Sequence, residues 1–261
     1  MPPSDPASWP LLRRRLRPKL SRFALLLAYD GAAFHGFQRQ PDQRTVEGEL
    51  VRALGEVGLP AGLSFASRTD AGVHAEGQVV VARAPAQTSC ESLATSLGAA
   101  LPEDVHLRLV RPAPAKFHPR WQAVGKRYRY TLARTPSPRA WSLPALDRSL
   151  FAGALAELAR APCLDGLTAA GAPPKPAPPL DSFVLRDEGD RLVVELEGRA
   201  FRRYALRHLI GAAVACAQGE RTLESLAALA AGPPPYRALR APADGLVLET
   251  VRYPPDLDPF A

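Results

Sequence analysis

The stretch from Phe65 to His74 reads FASRTDAGVH and places an arginine, a threonine and an aspartate side by side between small residues. The apolar segment LSFAS precedes the polar residues and GQVVVAR follows them, and both patterns predict strands. Residues 68–74 are therefore expected to form a loop at a sheet end, where Gly72 allows a turn that holds Asp70 in a fixed direction. Asp70 is either a nucleophile or base, or an aspartate that caps the turn through backbone amides.

The segments around this loop predict an α+β half. RFALLLAYDG reads as a buried strand that ends in a turn, and the residues after Thr45 carry apolar side chains at helical spacing. ESLATSLGAAL predicts a second helix and VHLRLV a further strand. The resulting order, strand–helix–strand–strand–helix–strand, is typical of a ferredoxin-like unit.

A second half of similar content begins near residue 116. KRYRYTLA, RLVVELEG and GLVLETVRY predict strands, whereas RSLFAGALAELARA, FRRYALRHLIGAAVACAQG and LESLAALAA predict helices. The Pro-rich residues 163–180 predict an extended loop. We therefore expect a flexible basic extension over residues 1–20, an N-terminal α+β domain over 21–115 that carries the aspartate loop, and a C-terminal α+β domain over 116–261.

The composition narrows the class of protein. The chain has 261 residues, 46% of them hydrophobic, and a net charge of +7, which favours an anionic partner such as nucleic acid. No apolar run is long enough for a membrane span, and the first residues lack the apolar core of a secretory signal, so a cytoplasmic protein is expected. The three cysteines and five histidines are dispersed, which indicates reduced thiols and no metal centre. A phosphohydrolase that holds a metal with Asp70 and His74 is a weaker alternative.

Arg207 is a second candidate functional residue, because it lies where a predicted helix becomes strongly apolar, next to Leu206 and Leu209. A guanidinium near a core needs an anionic partner or must extend its head into water. If the partner is Asp70, the pair would keep the carboxylate ionised and oriented, as a nucleophile requires. Both arrangements fit the sequence.

The segment GKRYRYT supplies a third clue. Alternation along a strand places Lys126, Tyr128 and Tyr130 on one face and Arg127 and Arg129 on the other. Tyrosines interleaved with positive charge suit stacking on an unpaired base beside phosphates. Two tyrosines that simply pack on a sheet face would give the same pattern.

The stretch SRTDAGVHAEGQVV resembles the signature of the tRNA pseudouridine synthase A family, usually written GRTDAGVH. The resemblance continues in YDGAAFHGFQRQP, TVEGELVRAL, FHPRWQAVGKRYRYTL, FRRYALRHLIG and APADGLVLETVRYP. It thus extends from about Phe23 to Pro254, in the order that the family has. It implies a pseudouridine synthase fold in which two ferredoxin-like or RRM-like halves share a central mixed, mainly antiparallel sheet with a cleft between them.

The resemblance also implies a function: isomerisation of uridine to pseudouridine at positions 38, 39 and 40 of the tRNA anticodon stem-loop, by a homodimer with no cofactor and no metal. Asp70 matches the family's catalytic aspartate, Arg207 the arginine that pairs with it, and Tyr128 the tyrosine that stacks on the target uracil. Arg68 matches an arginine linked to holding the flipped nucleotide. The other residues expected to contact RNA are Thr69, His74, Gln38, Arg39, Lys126 and Arg127.

The chain departs from the family pattern at several places. Ser67 stands where the family usually has glycine, and Tyr204 and Ala205 stand where histidine and methionine are common. Residues 163–180 diverge most, so tRNA contacts in this segment do not carry over. The alternative to the enzyme is a non-catalytic RNA-binding protein or tRNA chaperone that has kept the fold.

Overall fold

The computed structural model describes residues 19–169, 177–232 and 240–261. The predicted extension over 1–20 therefore lies almost entirely outside the described residues. The strands of the described chain are β1 (Leu20–Tyr29), β2 (Ser64–Phe65), β3 (His74–Pro85), β4 (Val105–Pro112), β5 (Gly125–Ala133), β6 (Trp141–Ser142), β7 (Ser182–Asp187), β8 (Arg191–Gly198) and β9 (Leu246–Arg252). Its α-helices are α1 (Val46–Glu56), α2 (Cys90–Ala100), α3 (Arg148–Ala159), α4 (Ala205–Ala217) and α5 (Leu223–Ala231).

All these strands join one sheet, in the order β4-β1-β3-β9-β5-β8-β7, with β2 paired to β3 and β6 to β5. The pairs β3–β9 and β5–β6 are parallel and the others are antiparallel. The expected α+β class with a mixed, mainly antiparallel sheet is thus confirmed. The last strand, β9, lies between β3 and β5, so it joins the strand after the aspartate loop to the strand that carries Tyr128.

Helices α1, α2 and α3 begin at residues whose side chains cap them. The side chains of Thr45, Ser89 and Asp147 accept hydrogen bonds from the first turns of α1, α2 and α3. Helix α4 packs against α3 and lies deep in the structure, and every one of its residues except Arg207 is buried. Because an apolar helix that is buried all round is fixed by its neighbours, α4 is a rigid support for that arginine.

Several expected elements differ in the structure. Helix α4 begins at Ala205 rather than near residue 201, because Tyr204 takes a left-handed conformation with φ 66° that a helix cannot continue. The strand expected for LSFAS is reduced to the two residues of β2. Strands β6 and β7 were not expected from the sequence, since β6 is very short and β7 is a largely exposed edge strand.

The predicted loop over 163–180 contains a short 3₁₀ helix at Asp165–Leu167, and residues 170–176 lie outside the described residues. The helices of the described ranges include none that is long and apolar enough to cross a membrane.

Candidate active site

Asp70 lies in the loop between β2 and β3, and the loop backbone is held from both sides. The N–H of Phe37 donates to the carbonyl of Thr69 at 3.1 Å. Gly36, with φ +94°, approaches the same carbonyl so closely that a Cβ would lie 2.7 Å from the oxygen. Gly72, with φ +80°, closes the turn after Asp70 in a conformation that other residues rarely adopt. The segment YDGAAFHGF thus supports the aspartate loop.

A buried glutamine fixes the start of the same loop. Gln78 is fully buried on β3, where its Oε1 accepts from the Ser67 N–H at 3.1 Å and its Nε2 donates to the Ser67 carbonyl at 2.7 Å. The Thr69 hydroxyl lies 2.8 Å from the hydroxyl of Tyr29 on β1. These bonds satisfy polar groups that would be costly to bury alone, and they leave Arg68 exposed between two fixed residues.

The carboxylate of Asp70 faces the guanidinium of Arg207, with 4.0 Å between Oδ2 and Nη1. The side chain of Asp70 is 22% exposed and that of Arg207 is 11% exposed. Arg207 is also anchored on its other side, because its Nε donates to the Ala241 carbonyl at 2.7 Å. The structure therefore brings together these two sequence-predicted residues, one from the loop before β3 and one from α4.

The electrostatics of Asp70 have two opposing causes. Burial raises the pKa of the Asp70 carboxyl above its ordinary value, while the charges of Arg207, Arg203 and Arg240 lower it. Burial is the larger effect, so the arginines offset only part of it. Three guanidinium groups thus act against the desolvation of one carboxylate, and that of Arg207 is the one within 4.0 Å of it.

Lys126 and Tyr128 lie on the buried face of β5, as the alternation predicts. The hydroxyl of Tyr128 lies 2.8 Å from Ser67 Oγ, and Lys126 Nζ donates to Ser67 Oγ at 3.2 Å and to the Ala66 carbonyl at 3.1 Å. Burial lowers the pKa of Lys126 to about 8 and raises that of Tyr128 to about 12. The negative charge of Asp70 also raises the pKa of Tyr128, after the larger effect of burial.

The remaining predicted RNA-contacting residues divide into two groups. Gln38 and Arg39 are exposed beside the aspartate loop. His74 is only 1% exposed; its Nδ1 accepts from a backbone N–H and its Nε2 lies 3.3 Å from Asp244 Oδ1, so it lies beneath the loop. Arg127 lies on the face of β5 opposite Tyr128, where its Nε contacts Glu197 at 2.7 Å. Within the described ranges, no cluster of three histidine, cysteine or acidic residues could hold a metal ion.

The structure adds functional candidates that the sequence did not indicate. The ring of Tyr204 is surrounded by guanidinium groups, with Cζ at 4.7 Å for Arg203, 4.4 Å for Arg240 and 5.7 Å for Arg207 from the ring centroid. In the sequence, Tyr204 stands out only as a departure from the family pattern. Arg240 lies just before the motif APADGLVLETVRYP in a segment without periodicity, so no local signal points to it.

Comparison with known proteins gives consistent matches. A family model described as tRNA pseudouridine synthase matches residues 180–254. A protein of Roseiflexus sp. (strain RS-1) is 34% identical over 256 residues, which cover 91% of this chain and 92% of the relative. A relative from Akkermansia muciniphila is 33% identical, with coverage of 90% and 96%, and one from Aromatoleum aromaticum is 36% identical, with coverage of 90% and 92%. All three are named tRNA pseudouridine synthase A.

Proposed function

The chain belongs to the tRNA pseudouridine synthase A family, and on this premise we propose that it converts uridine to pseudouridine in the anticodon stem-loop of tRNA. The positions proposed are 38, 39 and 40. The observation that carries the proposal is the Asp70 carboxylate opposite Arg207, in the loop that bears the family signature. A partly buried carboxylate opposed by arginines is a candidate reactive group, because burial and neighbouring charge that shift a pKa in opposite directions are typical of functional sites.

The reaction breaks the N–C glycosidic bond, turns the uracil and joins it to the sugar through carbon. A stacked base is out of reach, so the uridine must first leave the helix, at a cost of a few kcal/mol. Stacking on Tyr128 would offset about 1–3 kcal/mol of that cost. Asp70 then acts on the extruded nucleoside, by attack on the sugar or the base or by elimination across the sugar.

Asp70 must be ionised for attack, and the nearby arginines supply this condition in part. Burial raises the pKa of the Asp70 carboxyl, and the charges of Arg207, Arg203 and Arg240 lower it. Arg207 has a second task, because its bond to the Ala241 carbonyl fixes the direction from which its guanidinium meets the carboxylate. Arg207 thus supplies Asp70 with both a nearby positive charge and a partner of fixed orientation.

A proton must leave C5 of the uracil once the carbon–carbon bond has formed, and Tyr128 is the candidate acceptor. Its hydroxyl is neutral at physiological pH, since burial raises its pKa to about 12. A neutral hydroxyl can only relay this proton: it takes the C5 proton as it gives its own to the uracil nitrogen that the broken glycosidic bond has freed, so the isomerisation gains and loses no proton overall. Ser67, the residue that departs from the family's glycine, would orient this hydroxyl, because its Oγ lies 2.8 Å away.

The same premise leads to proposals on the assembly and surroundings of the enzyme. We place it in the cytoplasm as a homodimer that acts on tRNA without a cofactor. The net charge of +7 favours association with the phosphate backbone, and this part of the affinity falls as salt rises. The proposed division at residues 115 and 116 puts Asp70 and its two partners, Arg207 and Tyr128, on different halves.

The experiment that tests the function is incubation with unmodified tRNA, followed by mapping of pseudouridine by position, with and without EDTA. Pseudouridine at positions 38 to 40 in both conditions is the expected result. Binding without any pseudouridine would favour the non-catalytic RNA-binding protein. Phosphate release that EDTA abolishes would favour the metal phosphohydrolase built on Asp70 and His74.

A further inference from the structure

The guanidinium groups of Arg203, Arg207 and Arg240 form an arginine cluster on the Tyr204 ring, beside the proposed active site. Arg207 turns inward to Asp70, whereas Arg203 and Arg240 are exposed and flank the same tyrosine ring. Arg203 also donates from Nη2 to the Tyr204 hydroxyl at 2.8 Å. A planar guanidinium held against an aromatic ring keeps outward N–H groups free to bind an oxyanion.

This cluster has more positive than negative charge. Its nearest carboxylate is that of Asp70, 4.0 Å from Arg207. In the part of the chain that the structure describes, no carboxylate oxygen pairs with Arg203 or Arg240 within that distance. By contrast, Arg127 on the opposite face of the sheet is paired with Glu197. Guanidinium groups placed together without a counter-ion are a binding surface for an external anion.

Helix α4 adds to the same positive field. It begins directly after Tyr204, whose side chain supplies no capping hydrogen bond, so the positive end of the helix dipole points toward the cluster. Thirteen residues of well-packed helix support this end. Fixed charge, stacked arginines and a helix N-terminus therefore converge at one place on the surface.

We propose that Arg203, Tyr204 and Arg240 form a binding site for one phosphodiester of the RNA strand that carries the target uridine. The proposal rests on the proposed function, since it places this phosphate next to the nucleotide in the site. Tyr204 acts as the platform, and the two exposed arginines hold the phosphate oxygens. The site sets where the strand enters, while Asp70 and Arg207 act on the extruded nucleoside.

The short distance between the arginine cluster and Asp70 identifies which phosphate of the strand the cluster binds. Arg207 contacts both the Asp70 carboxylate, at 4.0 Å, and the Tyr204 ring, with Cζ 5.7 Å from its centroid, so a single side chain separates the tyrosine from the reacting group. A phosphodiester held by Arg203 and Arg240 on the same ring would therefore be the linkage next to the target nucleotide or the one after it. A contact this close fixes the register of the strand, because it determines which uridine reaches Asp70.

The test uses the full chain with Arg203→Gln, Arg240→Gln and the double variant. The matched control is Arg160→Gln, at the C-cap of α3, where the arginine is 74% exposed and forms an ion pair with Glu157 of that helix. Binding of an anticodon stem-loop is measured against salt concentration, with cytidine in place of the target uridine so that no reaction occurs. The double variant is expected to lower the slope of log K against log salt by about 0.7–1, the effect of one phosphate contact, and the control to leave it unchanged.

A second measurement locates the phosphate. Single linkages beside the target are replaced by neutral methylphosphonate. One replacement is expected to weaken binding to the wild type at least fivefold and to have no further effect on the double variant. If every replacement weakens the double variant as much as the wild type, or if its salt slope equals that of Arg160→Gln, the proposal is wrong.

Inorganic phosphate at constant ionic strength distinguishes a free anion from RNA. Suppose that phosphate competes with the stem-loop for the wild type but not for the double variant, and that no methylphosphonate replacement weakens binding. The assignment of the site to RNA would then be overturned. These experiments also test the phosphate site and the proposed function independently. If methylphosphonate at one linkage weakens binding but the wild type makes no pseudouridine, only the proposed function is contradicted. A wild type that makes pseudouridine without a sensitive linkage contradicts the phosphate site alone.

Discussion

The Asp70 carboxylate lies 4.0 Å from the guanidinium of Arg207, which stands at the one position of helix α4 that is not buried. The carboxylate comes from a loop held by Phe37 and Gln78, and the guanidinium comes from a helix fixed on all other sides. Neither partner can move far without disturbing the core. The pair is therefore a preorganised element of the fold, and its chemistry can be tested by single substitutions.

Arg207→Ala is expected to shift the acid limb of the activity profile to higher pH. The guanidinium lowers the pKa of Asp70 against a larger effect of burial, so its removal raises that pKa further and leaves less of the reactive carboxylate at a given pH. Activity at neutral pH should fall by about a hundredfold. Arg207→Lys, which keeps a charge, should show a smaller shift and a smaller loss. Equal, near-wild-type rates for both variants would contradict the pairing.

Tyr128→Phe is expected to bind tRNA as the wild type does but to form pseudouridine about a hundredfold more slowly, since the aromatic ring remains and the hydroxyl is lost. Single-turnover kinetics at saturating enzyme separates the two effects. Lys126 keeps its bonds to Ser67 Oγ and the Ala66 carbonyl, so the fold should be little affected. An unimpaired rate would show that the hydroxyl has no role in proton transfer.

Ser67→Ala is expected to lower the free energy of unfolding by about 1–2 kcal/mol. The serine hydroxyl bonds both Tyr128 and Lys126 in a buried environment, and its removal leaves each with one partner fewer. Urea denaturation gives the measurement, and Ser64→Ala on β2 is the control. Identical midpoints for the two variants would mean that this hydroxyl contributes nothing to the loop.

Lys126→Met tests how the buried ammonium of Lys126 changes the stability of the protein with pH. The pKa of Lys126 is lowered from its ordinary 10.5 to about 8, so between these values the unfolded chain binds more protons than the folded one. Wild-type stability should therefore gain from this group as pH rises from 8 toward 10.5, by about 3 kcal/mol in full. The difference in unfolding free energy between wild type and variant, measured at pH 7.5 and 9.5, should change accordingly. A difference that does not depend on pH would contradict the lowered pKa.

Much of the site could be predicted because the functional role of these residues is visible from their neighbours in the sequence. The loop around Asp70 shows its turn glycine, and Arg207 is conspicuous in an apolar helix, where an unpaired charge would be costly. The alternation in β5 gives the faces of Lys126 and Tyr128 correctly. In each case the residues of one short segment are enough to make the prediction.

The rest depends on contacts between distant segments. The insertion of β9 between β3 and β5 follows from the packing of the whole sheet, not from the sequence of β9. Gln78 looks like an ordinary residue of an apolar strand until its bonds to Ser67 are seen. The cluster on Tyr204 brings Arg203 close to Arg240, which is distant in sequence, and Tyr204 precedes α4 in a left-handed conformation that the sequence gives no reason to expect at a tyrosine.

Asp70→Asn tests the proposed role of the carboxylate without confounding effects, since it removes the charge with almost no change in size. Binding of unmodified tRNA and formation of pseudouridine are measured side by side with the wild type. We predict that the variant binds tRNA with an affinity within about threefold of the wild type, because the contacts with RNA remain, and forms no pseudouridine at any position. Normal turnover by the variant would contradict the account, since the reaction would then proceed without the carboxylate.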